Sequence, residues 1–106
     1  VSDLLVVYVT APDADVATRL AHALVGEGLA ACVNMVPGVR SVYLWEGALH
    51  EDAEVLLIVK TTTDRIDALT ERVVALHPYT LPEVLALPVH GGHTPYLDWV
   101  RAGSRG

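Results

Sequence analysis

Between Leu29 and Thr62 the chain carries strand-like segments that are too long for the domain holding them. "LAACVNMV" (29–36) and "VRSVYLWEG" (39–47) are separated only by Pro37-Gly38, and "AEVLLIVKTT" (53–62) follows the turn-forming "EGALHED". Pro-Gly inside an otherwise continuous β pattern reads as a bend or bulge in one strand. The three segments therefore predict one long antiparallel hairpin. Its alternation puts Val39, Ser41, Tyr43 and Trp45 on one face, and Arg40, Val42, Leu44 and Glu46 on the other. At 106 residues the chain has room for one domain, 1–106. A hairpin of this length reaches beyond such a domain, and its unpaired edges invite another subunit.

The remaining elements fall around that hairpin. "DLLVVYVT" (3–10) is a continuous apolar run and predicts a strand covered on both faces. Asp13 is a good N-cap for a helix whose Val16, Leu20 and Leu24 recur at helical spacing, with Ala17 and Ala21 permitting close packing. Gly26 and Gly28 stop it. Asp64 is the expected cap of a second helix with the stripe Ile66, Leu69, Val73 and Leu76, Asp67 completing a capping box. Pro78 ends that helix by pushing His77 out of the α region. "EVLALPV" (83–89) predicts a fourth strand and "HGGH" a loop. "TPYLDWVRAG" predicts a short C-terminal helix with Thr94 as cap and Pro95 at its first position. Loose ends are expected before Asp3 and after Ala102. The order is βαββαβ plus a terminal helix, the α+β ferredoxin-like plan: an antiparallel sheet with both main helices on one face.

Composition narrows the function classes. Hydrophobic residues make up 52% of the chain, rich for so small a core, and the surplus points to subunit interfaces. No apolar run reaches the roughly 18 residues of a membrane span. Thirteen acids against seven bases give a net charge of −6 without any basic cluster, which argues against nucleic acid as a partner. One cysteine precludes an intrachain disulfide, and no signal-peptide pattern opens the sequence, so a cytoplasmic location is expected.

Chemistry-bearing residues are few. His77 is the best metal-ligand candidate, since neutral imidazole binds copper, zinc and nickel; the plainer reading is a histidine stabilised at a helix C-terminus. Glu83, fixed behind Pro82, offers a carboxylate to the same ion or is an exposed acid at a strand start. Cys32 reads as a small hydrophobe in a buried strand without an electropositive neighbour, or as a soft ligand for Cu(I). Tyr79 can stack on a ligand or serve as an interface aromatic. Trp45 and Trp99 are packing or subunit-contact residues, and Glu46 and Asp98 can line a cleft with Lys60 and Arg40 or form a polar rim. His90 and His93 lack a third donor. No Gly-rich phosphate loop, GxSxG or HExxH occurs, so neither catalysis nor an organic cofactor is expected.

Several stretches, taken in series, carry a resemblance: "TAPD" (10–13), "GLAACVNMVPGVRSVYLWEG" (28–47), "EVLLIVKTT" (54–62), "HPY" with "PE" (77–79, 82–83), "ALPV" (86–89) and "YLDW" (96–99). Together they cover nearly the whole chain and resemble the CutA family of divalent-cation tolerance proteins. The resemblance implies a ferredoxin-like homotrimer with hairpins wrapped around neighbouring subunits. It also implies a role in divalent-metal or copper binding and homeostasis. In copper-binding relatives the implied ligand positions correspond to Val9 and the pair Leu76-His77, of which only His77 carries a ligand side chain here. The trimer further resembles PII-type signalling proteins. That leaves open an effector module holding an anion or metabolite at an inter-subunit cleft near Lys60, Arg40, Tyr79 and Glu83. A scaffold presenting a surface to a protein partner is the third possibility.

Overall fold

Apolar runs in β1 (Leu4–Ala11) and β3 (Ala48–Thr62) build the centre of a four-stranded antiparallel sheet, completed by β2 (Cys32–Trp45) and β4 (Leu85–Pro88) in the order β2-β3-β1-β4. This computed structural model describes residues 3–105. Helices α1 (Ala14–Gly26) and α2 (Ile66–Leu76) cover one face, and α3 (Thr94–Gly103) follows β4. This is the ferredoxin-like α+β plan that the element order predicts.

On the helix-covered face, Val7, Val9 and Ala11 of β1 and Val55, Leu57 and Val59 of β3 meet Val16, Leu20 and Leu24 of α1 and Leu69 and Val73 of α2. The opposite face is closed only at one end, where Leu4 packs under Leu97 and Val100 of α3. Coverage of β1 on both faces is thus partial, a correction to the reading of its apolar run. Beside Tyr8 and Val6 on the open face, Leu85 and Leu87 of β4 stay exposed.

Local chemistry explains the boundaries, including those that differ from expectation. Asp13 caps α1, its Oδ1 accepting from the Val16 N–H at 2.8 Å. Beyond the helix, the N–H groups of Leu29 and Ala30 both donate to the Leu24 carbonyl, so these residues close α1 and β2 begins only at Cys32. The register shifts between Val36 and Val39, as Pro-Gly foretells, and Gly38 takes φ +79° there. The expected seven-residue turn at 46–52 is corrected to two residues. Glu46 and Gly47 have φ of 51° and 80°, the left-handed pair of a type I′ hairpin, so Leu49, His50, Glu51 and Asp52 all belong to β3.

Asp64 does not cap α2. It lies in a 3₁₀ turn (Thr63–Arg65) and accepts a hydrogen bond from the Thr62 hydroxyl, while α2 starts at Ile66 with no side-chain cap. His77 leaves the helix with φ −80° and ψ 138°, as the following proline demands. β4 starts at Leu85, leaving Glu83 in the preceding loop, and α3 begins at Thr94, with His93 in the N-cap position and no side-chain cap. Ser104 is buried, its Oγ donating to the Val100 carbonyl at 2.7 Å and its own carbonyl accepting from Arg65 Nε at 3.0 Å. The chain is therefore held through Ser104, and the expected looseness at Val1, Ser2 and Gly106 falls outside the described residues. The β2–β3 hairpin draws the molecule out to 44 × 25 × 22 Å. Leu44 and Leu49, cross-strand partners near its tip, are each 72% exposed.

Candidate functional site

The β2–β3 hairpin and the 79–83 loop face each other across a cleft of about 530 Å³. The register of β2 on β3 pairs Val39 with Glu54, Ser41 with Asp52, and Tyr43 with His50, so these side chains share one face with Trp45. That face supplies Ser41, Tyr43, Trp45 and Glu54 to the cleft. The loop supplies Tyr79, Leu81 and Glu83, and β1 contributes Thr10 at the base.

His77 fixes the loop. Its Nδ1 accepts from the Tyr79 N–H at 3.1 Å and its Nε2 lies 2.7 Å from the Thr10 carbonyl oxygen. Only the Nε2–H tautomer satisfies both contacts, so Nε2 donates to Thr10 and the imidazole bridges α2's end to β1. His77 is also buried, 7% exposed, with the Tyr79 ring 4.6 Å from its own. In this arrangement neither ring nitrogen offers a lone pair to a metal. Val9 lies wholly buried across from Leu57 on the helix-covered face, so that position faces the core.

Tyr79, so placed, donates its hydroxyl to Glu54 Oε2 at 2.9 Å. Burial first, then the hydrogen bond and charge of Glu54, hold the phenol protonated far above its ordinary range. Its hydroxyl is a donor here. Glu54, only 8% exposed, is the one buried acid among the described residues. Glu83 lies at the exposed lip. Partial desolvation, then the charge of Glu54, raise its carboxyl above the usual range. Tyr43 donates to Asp52, which raises the tyrosine's pKa, and its ring stacks on His50 at 5.3 Å and 12°. No arginine or lysine lines the cleft.

Of the residues singled out from the sequence, the structure gathers Tyr79, Trp45 and Glu83 in this cleft. The others lie elsewhere. Arg40 is on the opposite face of the hairpin, paired with Glu51. Glu46 is in the turn. Lys60 contacts Asn34 and stands 3.8 Å from Cys32 Sγ, at the far end of β2. Cys32 is thus half-buried and has a cationic neighbour, contrary to the sequence reading. Trp99 stacks on Tyr96 in α3 at 5.6 Å. His77, Glu83 and Cys32 do not converge, and among the described residues no three His, Cys, Asp or Glu side chains are placed to hold a metal ion. Glu54 and Tyr43 line the cleft without being singled out by the sequence reading. The signals were present: Tyr43 shares Trp45's alternation, and Glu54 is a charge at the head of the apolar run "VLLIV".

Sheet order, overlong hairpin and acid-and-aromatic cleft define an α+β protein of ferredoxin-like plan with a cleft beside its hairpin. The chain belongs to the CutA1 divalent ion tolerance family, whose profile matches residues 5–103. It is 57% identical over 96 residues to the divalent-cation tolerance protein CutA of Thermus thermophilus, covering 91% of this chain and 93% of that one. It is 54% identical over 101 residues to the chloroplastic protein CutA 1 of Oryza sativa, covering 95% of this chain but only 57% of the rice protein. The solved structure of the Thermus thermophilus divalent cation tolerance protein superposes with a TM-score of 0.94 over 96% of this chain and 99% of that chain, at 54% identity.

Proposed function

We propose that the chain is a non-catalytic homotrimer that binds divalent cations weakly in the cleft and serves metal tolerance. The observation that carries this reading is the pair Glu54 and Glu83. Their charges oppose each other, and no base in the lining compensates them. A divalent cation between them relieves that repulsion. Two carboxylates make a hard, incomplete donor set, which suits oxygen-seeking divalent ions and not soft Cu(I). Water or a donor from a neighbouring chain completes the coordination. The effector reading with a bound anion draws no support from the lining, since Lys60 and Arg40 both lie outside it.

Titration calorimetry on the chelator-stripped protein should give dissociation constants of about 10⁻⁴–10⁻³ M, the range of weak oxygen sites. Cu(II) should bind more tightly than Zn(II). Glu83→Gln should weaken both at least tenfold. Because the Glu83 carboxyl is raised in the fold, its charged form is disfavoured there. Its stability contribution is full below the unfolded pKa and is lost as pH rises through the folded one. Glu83→Gln is therefore not destabilising at neutral pH, and lost affinity cannot be ascribed to unfolding. Metal binding should fade as pH falls through the raised pKa. Affinity that is flat down to pH 4 would sink the assignment.

Support for the assembly comes from surfaces one chain leaves bare: Leu85 and Leu87 on the open sheet face, and Val42, Leu44 and Leu49 near the hairpin tip. The strand edges of β2 and β4 are also free for pairing. Sedimentation equilibrium should return three times the 11.4 kDa chain mass; a single-chain mass would defeat the proposal.

A further inference from the structure

A metal held by Glu54 and Glu83 accounts for the acids of the cleft but leaves its aromatic walls without a purpose. The chain has four tyrosines and two tryptophans, and three of these six, Tyr43, Trp45 and Tyr79, line this one cleft. Each is 37–41% exposed, so their rings are turned toward the opening instead of filling the core. The hydroxyls of Tyr43 and Tyr79 are already committed to Asp52 and Glu54. What both tyrosines present to the cleft is a ring whose electron density is increased by donation to a carboxylate. Trp45 adds the side chain with the strongest attraction for a cation over its face. Leu81 extends the apolar wall. The volume of about 530 Å³ lies within the range of small-molecule sites and far exceeds the needs of one ion.

We propose that the cleft binds a linear aliphatic di- or polyamine. One ammonium group meets Glu54 and Glu83, and the methylene stem and a further ammonium lie along Trp45 and Tyr43, near Asp52. The inference rests on the cleft being the binding site, as in the metal reading, and adds the ligand class that its walls select. An anion is excluded by the same acids, and a neutral apolar molecule would leave the nine-tenths-buried Glu54 facing hydrocarbon.

The test is calorimetric titration of the intact, chelator-stripped protein with spermidine at low ionic strength, beside Mn(II) as the metal probe. Spermidine should bind once per chain, and Mn(II) should compete with it. Trp45→Leu keeps the apolar bulk and removes the π face; it should weaken spermidine about tenfold and Mn(II) far less. Glu83→Gln should weaken both. Because Trp45 lies near the hairpin tip, a second readout uses the unaltered cleft in a Trp99→Phe background. There the remaining Trp45 emission should change and saturate with spermidine. Spermidine binding no more tightly than sodium ion, or equally well to Trp45→Leu, would overturn the proposal by showing only attraction to a chain of net charge −6. So would a cleft already filled by a basic side chain of a neighbouring copy, seen as spermidine binding only after the oligomer is dissociated. Mn(II) binding without spermidine binding leaves the metal reading and removes this one; the reverse removes the metal reading alone.

Discussion

Replacing His77 with alanine is expected to lower unfolding free energy by about 3 kcal/mol, read as a fall in the urea midpoint at unchanged slope. The imidazole satisfies two backbone groups: the Thr10 carbonyl on β1 and the Tyr79 N–H after α2. Truncation leaves both unsatisfied in a buried region, at about 1–3 kcal/mol for each orphaned group, offset where water enters the space. The loss should be accompanied by loosening of the 79–83 loop, since Tyr79 reaches Glu54 only from this anchored backbone. A ligand histidine would behave differently. Its removal would abolish metal affinity and leave the metal-free protein's stability nearly intact. An unaltered urea midpoint for His77→Ala would therefore overturn the structural role assigned here.

Leu57→Ala is expected to cost about 2–5 kcal/mol, measured by the same denaturation. Leu57 is wholly buried at the middle of β3, with Val9 of β1 on one side and Met35 of β2 on the other. Its neighbours on the helix-covered face include the fully buried Val59, Leu20 and Leu69. Stiff β-branched side chains on a paired strand have few rotamers with which to collapse into a void. Leu57→Met, which conserves volume, should cost less than about 1.5 kcal/mol. If the protein assembles as proposed, the midpoint of both variants will rise with protein concentration, so the comparison belongs at one fixed concentration.

These two side chains illustrate how differently the sequence speaks about fold and site. Leu57 could be assigned from pattern, because an apolar run of strand length has one place to go. The same holds for Leu20, Leu69 and Val73, whose helical spacing predicts a face and whose burial follows it. Pro78 and Asp13 are local devices, and they act through backbone sterics and a hydrogen bond within three residues. His77 is the contrary case. Its residue type permits metal binding, and nothing within ten residues says that both its nitrogens are taken. One of those partners, Thr10, is 67 residues away.

The turn is shorter than its local pattern predicts for a related reason. "EGALHED" is rich in turn formers, but a two-residue hairpin needs only Glu46 and Gly47, and once β2 runs that far its partner strand is pulled in along the ladder. Strand pairing is a non-local term, and it overrides local propensity in exposed segments.

The sequence by itself determined the element order, the bulge at Pro37-Gly38, the apolar faces and the family, because each is encoded by short-range chemistry or by residues in series. Only the tertiary structure decided which polar groups meet. It spent His77 on two backbone partners, sent Lys60 to Asn34 and Cys32, and turned Arg40 to the far side of the hairpin. It brought Glu54 and Glu83, 29 positions apart in the chain, close enough for one charge to raise the other's pKa. Apolar burial tolerates many arrangements of similar volume, so pattern suffices for a core. A polar contact depends on ångström-scale distance and direction, and these are set by sheet register and loop path.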